Sequence, residues 1–403
     1  MMLQILIAIL LGCFAGIITG LIPGIHINLV SLLLVSISGY FAGIPSIILG
    51  VFIIAMAVTH TFLDIIPSVF LGAPDADTAL AVLPGHKLLM QGKGFEAVKL
   101  ATIGSLLCLI GTIAIIPLLL PVVPAVYSFI QPYIGWILMA VVIFMILKEK
   151  SLNKQAWGVF VFLITGILGI IVLVGIPNMD QPLFPMLSGL FGISLLLISM
   201  FNKVKIPDQK ISETIKLSKT NLTKITGAGT FSGSLTALFP GLGAAQAAII
   251  GSQLVGNIGE YSFIVLIGGI NTVNFTFSLV TLYALEKARN GAVVAVMDIL
   301  KSITFSELIV FLAAGLIAGG IATFLAMYLT RGFSKFITKI NYQFICITVI
   351  TLIVLLVFYF SSWVGLLVLI VSSFIGMLPS LTGVKKSLAM GCLLLPVILF
   401  FIL

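Results

Sequence analysis

The sequence predicts an all-α polytopic membrane protein made of two related halves. Three observations carry that prediction. The 403-residue chain is 61% hydrophobic and 8% charged, a composition outside the range of soluble globular chains. Its apolar runs reach about 20 residues, enough to cross ~30 Å of hydrocarbon. Residues 12–24 (GCFAGIITGLIPG) match residues 229–241 (GTFSGSLTALFPG) at seven of thirteen positions, with a constant offset of 217.

The apolar runs read as helices rather than barrel strands. Backbone polar groups in lipid must be satisfied within the segment, and a barrel strand alternates apolar with polar residues. Segments 134–147 and 344–360 do not alternate. Clear spans fall at 46–72, 100–121, 126–148, 156–175 and 186–201, then at 262–286, 306–330, 343–360, 363–379 and 387–403. A Pro-Gly-broken element precedes each set, at 3–41 and 225–255, either re-entrant or fully spanning. The expected organisation is a first transmembrane repeat over 1–201, a linker over 202–224 and a second repeat over 225–403.

Charge sets the expected orientation. With the linker lysines (203, 205, 210, 216, 219 and 224) in the cytoplasm, Lys87, Lys93, Lys99, Lys148, Lys150 and Lys154 also fall inside. So do Arg331, Lys335, Lys339, Lys385 and Lys386, which leaves Lys287, Arg289 and Lys301 outside. Seventeen of the twenty basic residues thus obey the positive-inside rule. The basic loops are out of phase between the halves, and an odd number of crossings inverts the second copy. The expectation is an inverted-topology repeat with a pseudo-two-fold axis in the membrane plane and an extracytoplasmic C-terminus.

The net charge of +8 is spread over short loops without interleaved aromatics, which argues against nucleic-acid binding. The first charged residue is Asp64, so no positive region marks a cleaved leader. Cys13, Cys108, Cys346 and Cys392 sit in apolar runs without ligand spacing and read as packing residues.

The chemistry concentrates at the breaks. Proline cannot donate a backbone hydrogen bond, and the glycine after it permits unusual dihedrals. A helix ends before Pro-Gly and another begins after it, presenting free N–H groups and a positive dipole end to an anion. The expected substrate site is therefore Pro23, Gly24, Ile25, His26 and Asn28 against Pro240, Gly241, Leu242, Gly243 and Gln246. The competing reading of each break is a simple proline kink.

A second matched pair, FIIAMAVTHT (52–61) and FIVLIGGINT (263–272), aligns His60 with Asn271 and Thr61 with Thr272 at offset 211. Asp64 and Asn274 follow close behind. An acid embedded in an apolar run is costly and faces a cavity or a partner. His60, Asp64, Asn271 and Asn274 are thus expected to couple transport to H⁺ or Na⁺, with Thr61 and Thr272 beside the substrate. The third cluster, GAPDADTALAVLPGHKLLMQGKG (72–94), holds Asp75, Asp77, Thr78 and His86 in a stretch too polar to span lipid. It reads as a cytoplasmic loop with capped helix ends, or as a hairpin tip acting as a gate. No metal site is expected, because no EF-hand spacing follows Asp-x-Asp.

No nucleophile elbow, P-loop or His-Glu-x-x-His is present. The three His residues are scattered, so an enzyme is not expected and no organic cofactor is called for.

The duplicated Gly-x-Phe-x-Gly…Pro-Gly element resembles the large permease subunit of tripartite tricarboxylate transporters. The hairpin with Gly92, Gly94 and Ala97, and the closing LTGVKKSLAMGCLLLPVIL (381–399), share that resemblance. PGIHIN and LGAPDADTALAVLPGH look closest to archaeal-type members. The resemblance implies carboxylate import with an extracytoplasmic binding protein and a small membrane subunit. The paired Pro-Gly motifs also resemble families that return polyprenyl-phosphate lipid carriers across the membrane. Both substrates have an anionic head, so the break motif does not separate them. The expectation is a secondary transporter of a carboxylate-type anion. A polyprenyl-phosphate flippase is the alternative, and an integral membrane enzyme acting on lipid is a third reading.

Overall fold

The computed structural model describes residues 1–22, 27, 30, 31, 34, 43–72, 78–177, 179, 181–201, 207–211, 217–239, 242–256, 258–288, 290–337 and 342–403. Among them, eight helices are long and apolar enough to cross a membrane. No strand occurs among these residues. The protein is an all-helical, multi-pass membrane protein.

The first half contributes α1 (Met2–Leu21), α2 (Ser46–Leu63) and the short α3 (Ile65–Phe70). Then come α4 (Val82–Met90), α5 (Gly94–Leu119), α6 (Val123–Ile130), α7 (Ile134–Leu147) and α8 (Leu152–Ile170). It closes with α9 (Leu183–Leu187), a wide turn at Ser188–Ile193 and α10 (Ser194–Phe201). The second half contributes α11 (Lys219–Leu238), α12 (Ala244–Val255), α13 (Glu260–Leu285), α14 (Gly291–Leu300) and α15 (Phe305–Ile337). It ends with α16 (Tyr342–Thr382), a 3-10 turn at Lys386–Met390 and α17 (Gly391–Ile402).

The expected spans at 343–360 and 363–379 are the two arms of α16. Ser362 interrupts it at φ 54° and ψ −155°. A Cβ on Gly365 would lie 3.1 Å from Val357, eight residues earlier. In a straight helix that separation is about 12 Å, so the chain reverses at Ser362.

Glycine sets the helix contacts, as lipid-embedded packing requires. Gly12, Gly16 and Gly20 of α1 lie against Ala55, Thr59 and Leu63 of α2. Gly229 and Gly233 of α11 lie in the same way against Leu266 and Val273 of α13. Other contacts cross between halves. A Cβ on Gly104 of α5 would overlap the carbonyl of Val265 in α13. Its reciprocal is α2 against α15, where Gly50 meets Phe311. At the far end of each half, Gly169 of α8 abuts Cys392 of α17, and Gly376 of α16 abuts Leu190 before α10. Each half thus holds the last helix of the other.

The basic segments gather at one end. Gly94 N–H donates to Gln209 Oε1 at 2.9 Å, which docks the described part of the linker on the α4–α5 turn. Lys87 pairs with Glu260. Lys93 donates to the Tyr261 hydroxyl at 2.9 Å, and Tyr261 donates to Glu96 at 3.2 Å. At the other end of α13, Lys287 sits 4.6 Å from the centre of the Tyr127 ring. The 26 residues of α13 separate those ends by ~39 Å.

Candidate functional site

Asp64 lies at the junction of α2 and α3. Pro67, three residues on, has no N–H for the carbonyl of Leu63 and its ring crowds that carbonyl, so the helix cannot run through unbroken. Asp64 is 3% exposed, and His60, one turn earlier on the same face, is 4% exposed. Asn271 Nδ2 donates to Asp64 Oδ2 at 2.6 Å, and His60 Nε2 stands 4.0 Å from the same oxygen.

The two threonines sit beside this group. The Thr61 and Thr272 hydroxyls are 3.2 Å apart. Each also donates along its own helix, Thr61 to Val58 O at 2.8 Å and Thr272 to Gly268 O at 3.3 Å. Ser105 of α5 donates to the same Gly268 carbonyl at 2.9 Å, so three helices fix this point. Thr272 is near the middle of α13, ~18 Å from Glu260. Asn274 is half-buried, and no described contact joins it to Asp64.

Both breaks lead to this level. Gly20, in the last turn of α1, lies against Leu63, the His60 carbonyl and the Asp64 amide. In the second half, α11 runs parallel to α13, and α12 folds back so that Gly251 faces Ser232 and Leu266. Gly243, which caps α12, is eight residues before Gly251. That is ~12 Å deeper, at the level of Asn274. The second broken element is therefore a helical hairpin whose tip reaches the depth of Asp64 and Asn271.

Gln246 has a different role from a free side-chain contact. It is 1% exposed, and its Oε1 accepts from Gly243 N–H at 2.9 Å, so the side chain folds back onto the N-terminus of its own helix. One N–H of the half-helix is thus already satisfied. The N–H groups of Ala244 and Ala245 are the next in line for an anion. Pro23, Gly24, Ile25, His26, Asn28, Pro240, Gly241, Asp75 and Asp77 lie outside the described residues. Thr78 is described: its hydroxyl lies 2.7 Å from that of Ser68, which donates to the Asp64 carbonyl at 3.0 Å. The start of the 72–94 hairpin is therefore tied to the Asp64 junction. His86 is buried with Nδ1 3.4 Å from Val69 O, away from that junction.

Sequence reasoning missed Lys386. It is 7% exposed, and its ammonium donates to Ser194 Oγ at 3.0 Å and to Phe191 O at 3.3 Å. Its neighbour Lys385 is exposed, as positive-inside counting assumes for both. The apolar run that follows was the signal that one of the pair turns inward.

A model of the tripartite tricarboxylate transporter TctA family matches residues 6–391. The chain belongs to that family. TctA membership identifies a multi-pass membrane protein of a transporter family, not a family of enzymes. An uncharacterized protein of Methanocaldococcus jannaschii is 32% identical over 405 residues, covering 98% of this chain and 99% of its own length. No solved structure matches. The family match extends through both broken elements and the Asp64 junction.

Proposed function

We propose that this TctA-family protein is an ion-coupled secondary transporter of a carboxylate-type organic anion. The observation that carries the reading is the buried Asp64–Asn271 pair at the middle of α13, with the end of α1 packed on the Asp64 junction and the α12 N-terminus at the same depth. Free N–H groups and the positive end of a half-helix suit a carboxylate. A buried carboxylate held by an amide suits H⁺ or Na⁺. The anion is held by the Pro23–Asn28 and Pro240–Gln246 segments, with Thr61 and Thr272 alongside. His60, Asp64 and Asn271 carry the coupling, and Asp75, Asp77 and Thr78 gate the hairpin.

In this reading the chain is two inverted repeats, 1–201 and 225–403, joined by a cytoplasmic linker. The reciprocal exchange of last helices supports it. Alternating access follows from one repeat rocking on the other, with Thr61 and Thr272 at the pivot. An extracytoplasmic binding protein delivers the anion and a small membrane subunit accompanies the permease, as the word tripartite implies. No observation favours a polyprenyl-phosphate carrier or a lipid enzyme.

The test is thermal-shift screening of the purified protein against citrate, smaller dicarboxylates and short-chain prenyl phosphates. Uptake of labelled citrate into proteoliposomes under imposed Na⁺ or H⁺ gradients follows. Stabilisation and uptake of a carboxylate are expected. Stabilisation by prenyl phosphates alone would overturn the reading.

A further inference from the structure

We propose that Lys386 is the fixed positive charge that pairs with a carboxylate of the transported anion. The proposal rests on the transport reading above and adds a residue to it.

An ammonium taken out of water needs a counter-charge or a full set of acceptors. Lys386 is more than nine-tenths buried, yet its two acceptors are neutral: the Ser194 hydroxyl and the Phe191 carbonyl. An ammonium has three protons to donate, so one remains for a further acceptor. No carboxylate lies within ion-pair distance of it among the described residues. The Phe191 ring, 5.9 Å away, adds a weak cation–π contact. The missing partner is an anion that comes and goes.

The position fits a transported ligand. The 3-10 turn at Lys386–Met390 touches α12, the half-helix that runs up from the second break. The turn at Ser188–Ile193, which supplies the Phe191 carbonyl, touches α4 and the 3-10 turn at Ala79–Ala81. Lys386 therefore sits where the last helices of both halves, the half-helix and the 72–94 hairpin converge. Its flanking residues, Lys385 and Ser387, line an open cleft of about 270 Å³ with Lys148, Ser252 and Gln253. Ser252 and Gln253 are in the last turn of that same half-helix. One short turn thus places two residues in a cleft with two lysines and turns the third inward.

The experiment is citrate binding and uptake by the full-length protein, comparing it with Lys386→Met, Lys386→Arg and Lys219→Met. Lys386→Met keeps the chain length and removes the charge. We expect it to weaken citrate affinity at least tenfold and to raise KM more than it lowers turnover. Lys219→Met, at the exposed start of α11, should stay within threefold of the unaltered protein. If Lys386→Met does not give monodisperse protein, Lys386→Arg decides. It keeps the charge but displaces it, so citrate affinity should move at least threefold. Unchanged citrate affinity in whichever Lys386 variant folds overturns the assignment. Absence of citrate and dicarboxylate binding by the unaltered protein removes the transport reading itself, and the assignment with it.

Discussion

The hydroxyls of Thr61 and Thr272 lie 3.2 Å apart although 211 residues separate them, and they occupy equivalent positions in the two halves. In the proposed two-repeat reading, a residue that touches its own counterpart lies on the axis relating the two copies. The chemistry around that axis is unequal. The first half supplies His60 and Asp64, while the second supplies Asn271 where the first has His60.

Cysteine pairing tests the contact. Thr61→Cys with Thr272→Cys should form a disulfide under mild oxidation, because the side chains approach within the range that bond requires. After proteolysis in the 202–224 linker, the halves should stay joined until reduced. Halves that separate without reductant would place the two positions apart.

Asp64→Asn preserves the shape and removes the ionisable group. Gradient-driven citrate uptake should fall at least tenfold, while citrate exchange across the membrane without a gradient persists. Full gradient-driven uptake would remove Asp64 from coupling. Asn271→Leu should lower Tm, because leaving the buried Asp64 carboxyl without its amide donor costs about 1–3 kcal/mol.

Gln246 separates capping from anion binding. Gln246→Glu keeps an acceptor for Gly243 N–H but adds a negative charge beside the half-helix N-terminus. Tm should hold near the unaltered value while citrate affinity drops at least tenfold. Gln246→Leu loses the cap at about 1 kcal/mol, which a Tm measurement can check. Equal citrate affinity in the Glu variant would move the anion elsewhere.

Gly104→Val should destabilise the protein by more than a typical overpacking of about 1–3 kcal/mol. The added carbons meet the backbone of α13 rather than a side chain that can rotate away. Detergent thermal denaturation measures this, and an unchanged Tm would contradict the close crossing.

Accessibility labelling tests orientation. Ser218→Cys, within the linker at the cap of α11, should react with an impermeant maleimide only from the cytoplasmic face. Asn290→Cys, which caps α14 beyond the far end of α13, should react only from outside. The reverse pattern would invert the topology.

Much of this molecule was legible from the sequence, for physical reasons that particular residues show. Helix is the only way for a single apolar segment to satisfy its backbone in lipid, so the spans around α5, α8, α13 and α15 follow from composition and length. Proline in the middle of an apolar run favours a helix break, so the break before α12 was visible as a motif, whereas Pro84-Gly85 falls in the first turns of α4 and is tolerated there. Asp64 stood out because an acid inside an apolar run is costly.

The pairing of these groups depends on distances between segments that lie far apart in the chain. Only the crossing of α2 and α13, with glycines on α5 and α13 allowing close approach, sets Asn271 on Asp64 and Thr61 on Thr272. Gln246 read as a ligand because its polarity was visible, while the Gly243 N–H that it caps became apparent only in three dimensions. Lys385 and Lys386 are chemically identical in the sequence. A tight 3-10 turn, packed between the last helices of the two halves, leaves one at the surface and buries the other against Ser194. The sequence alone determined which charges and helix breaks this protein has. The tertiary structure decided which of them meet, because burial and contact follow from how helices pack.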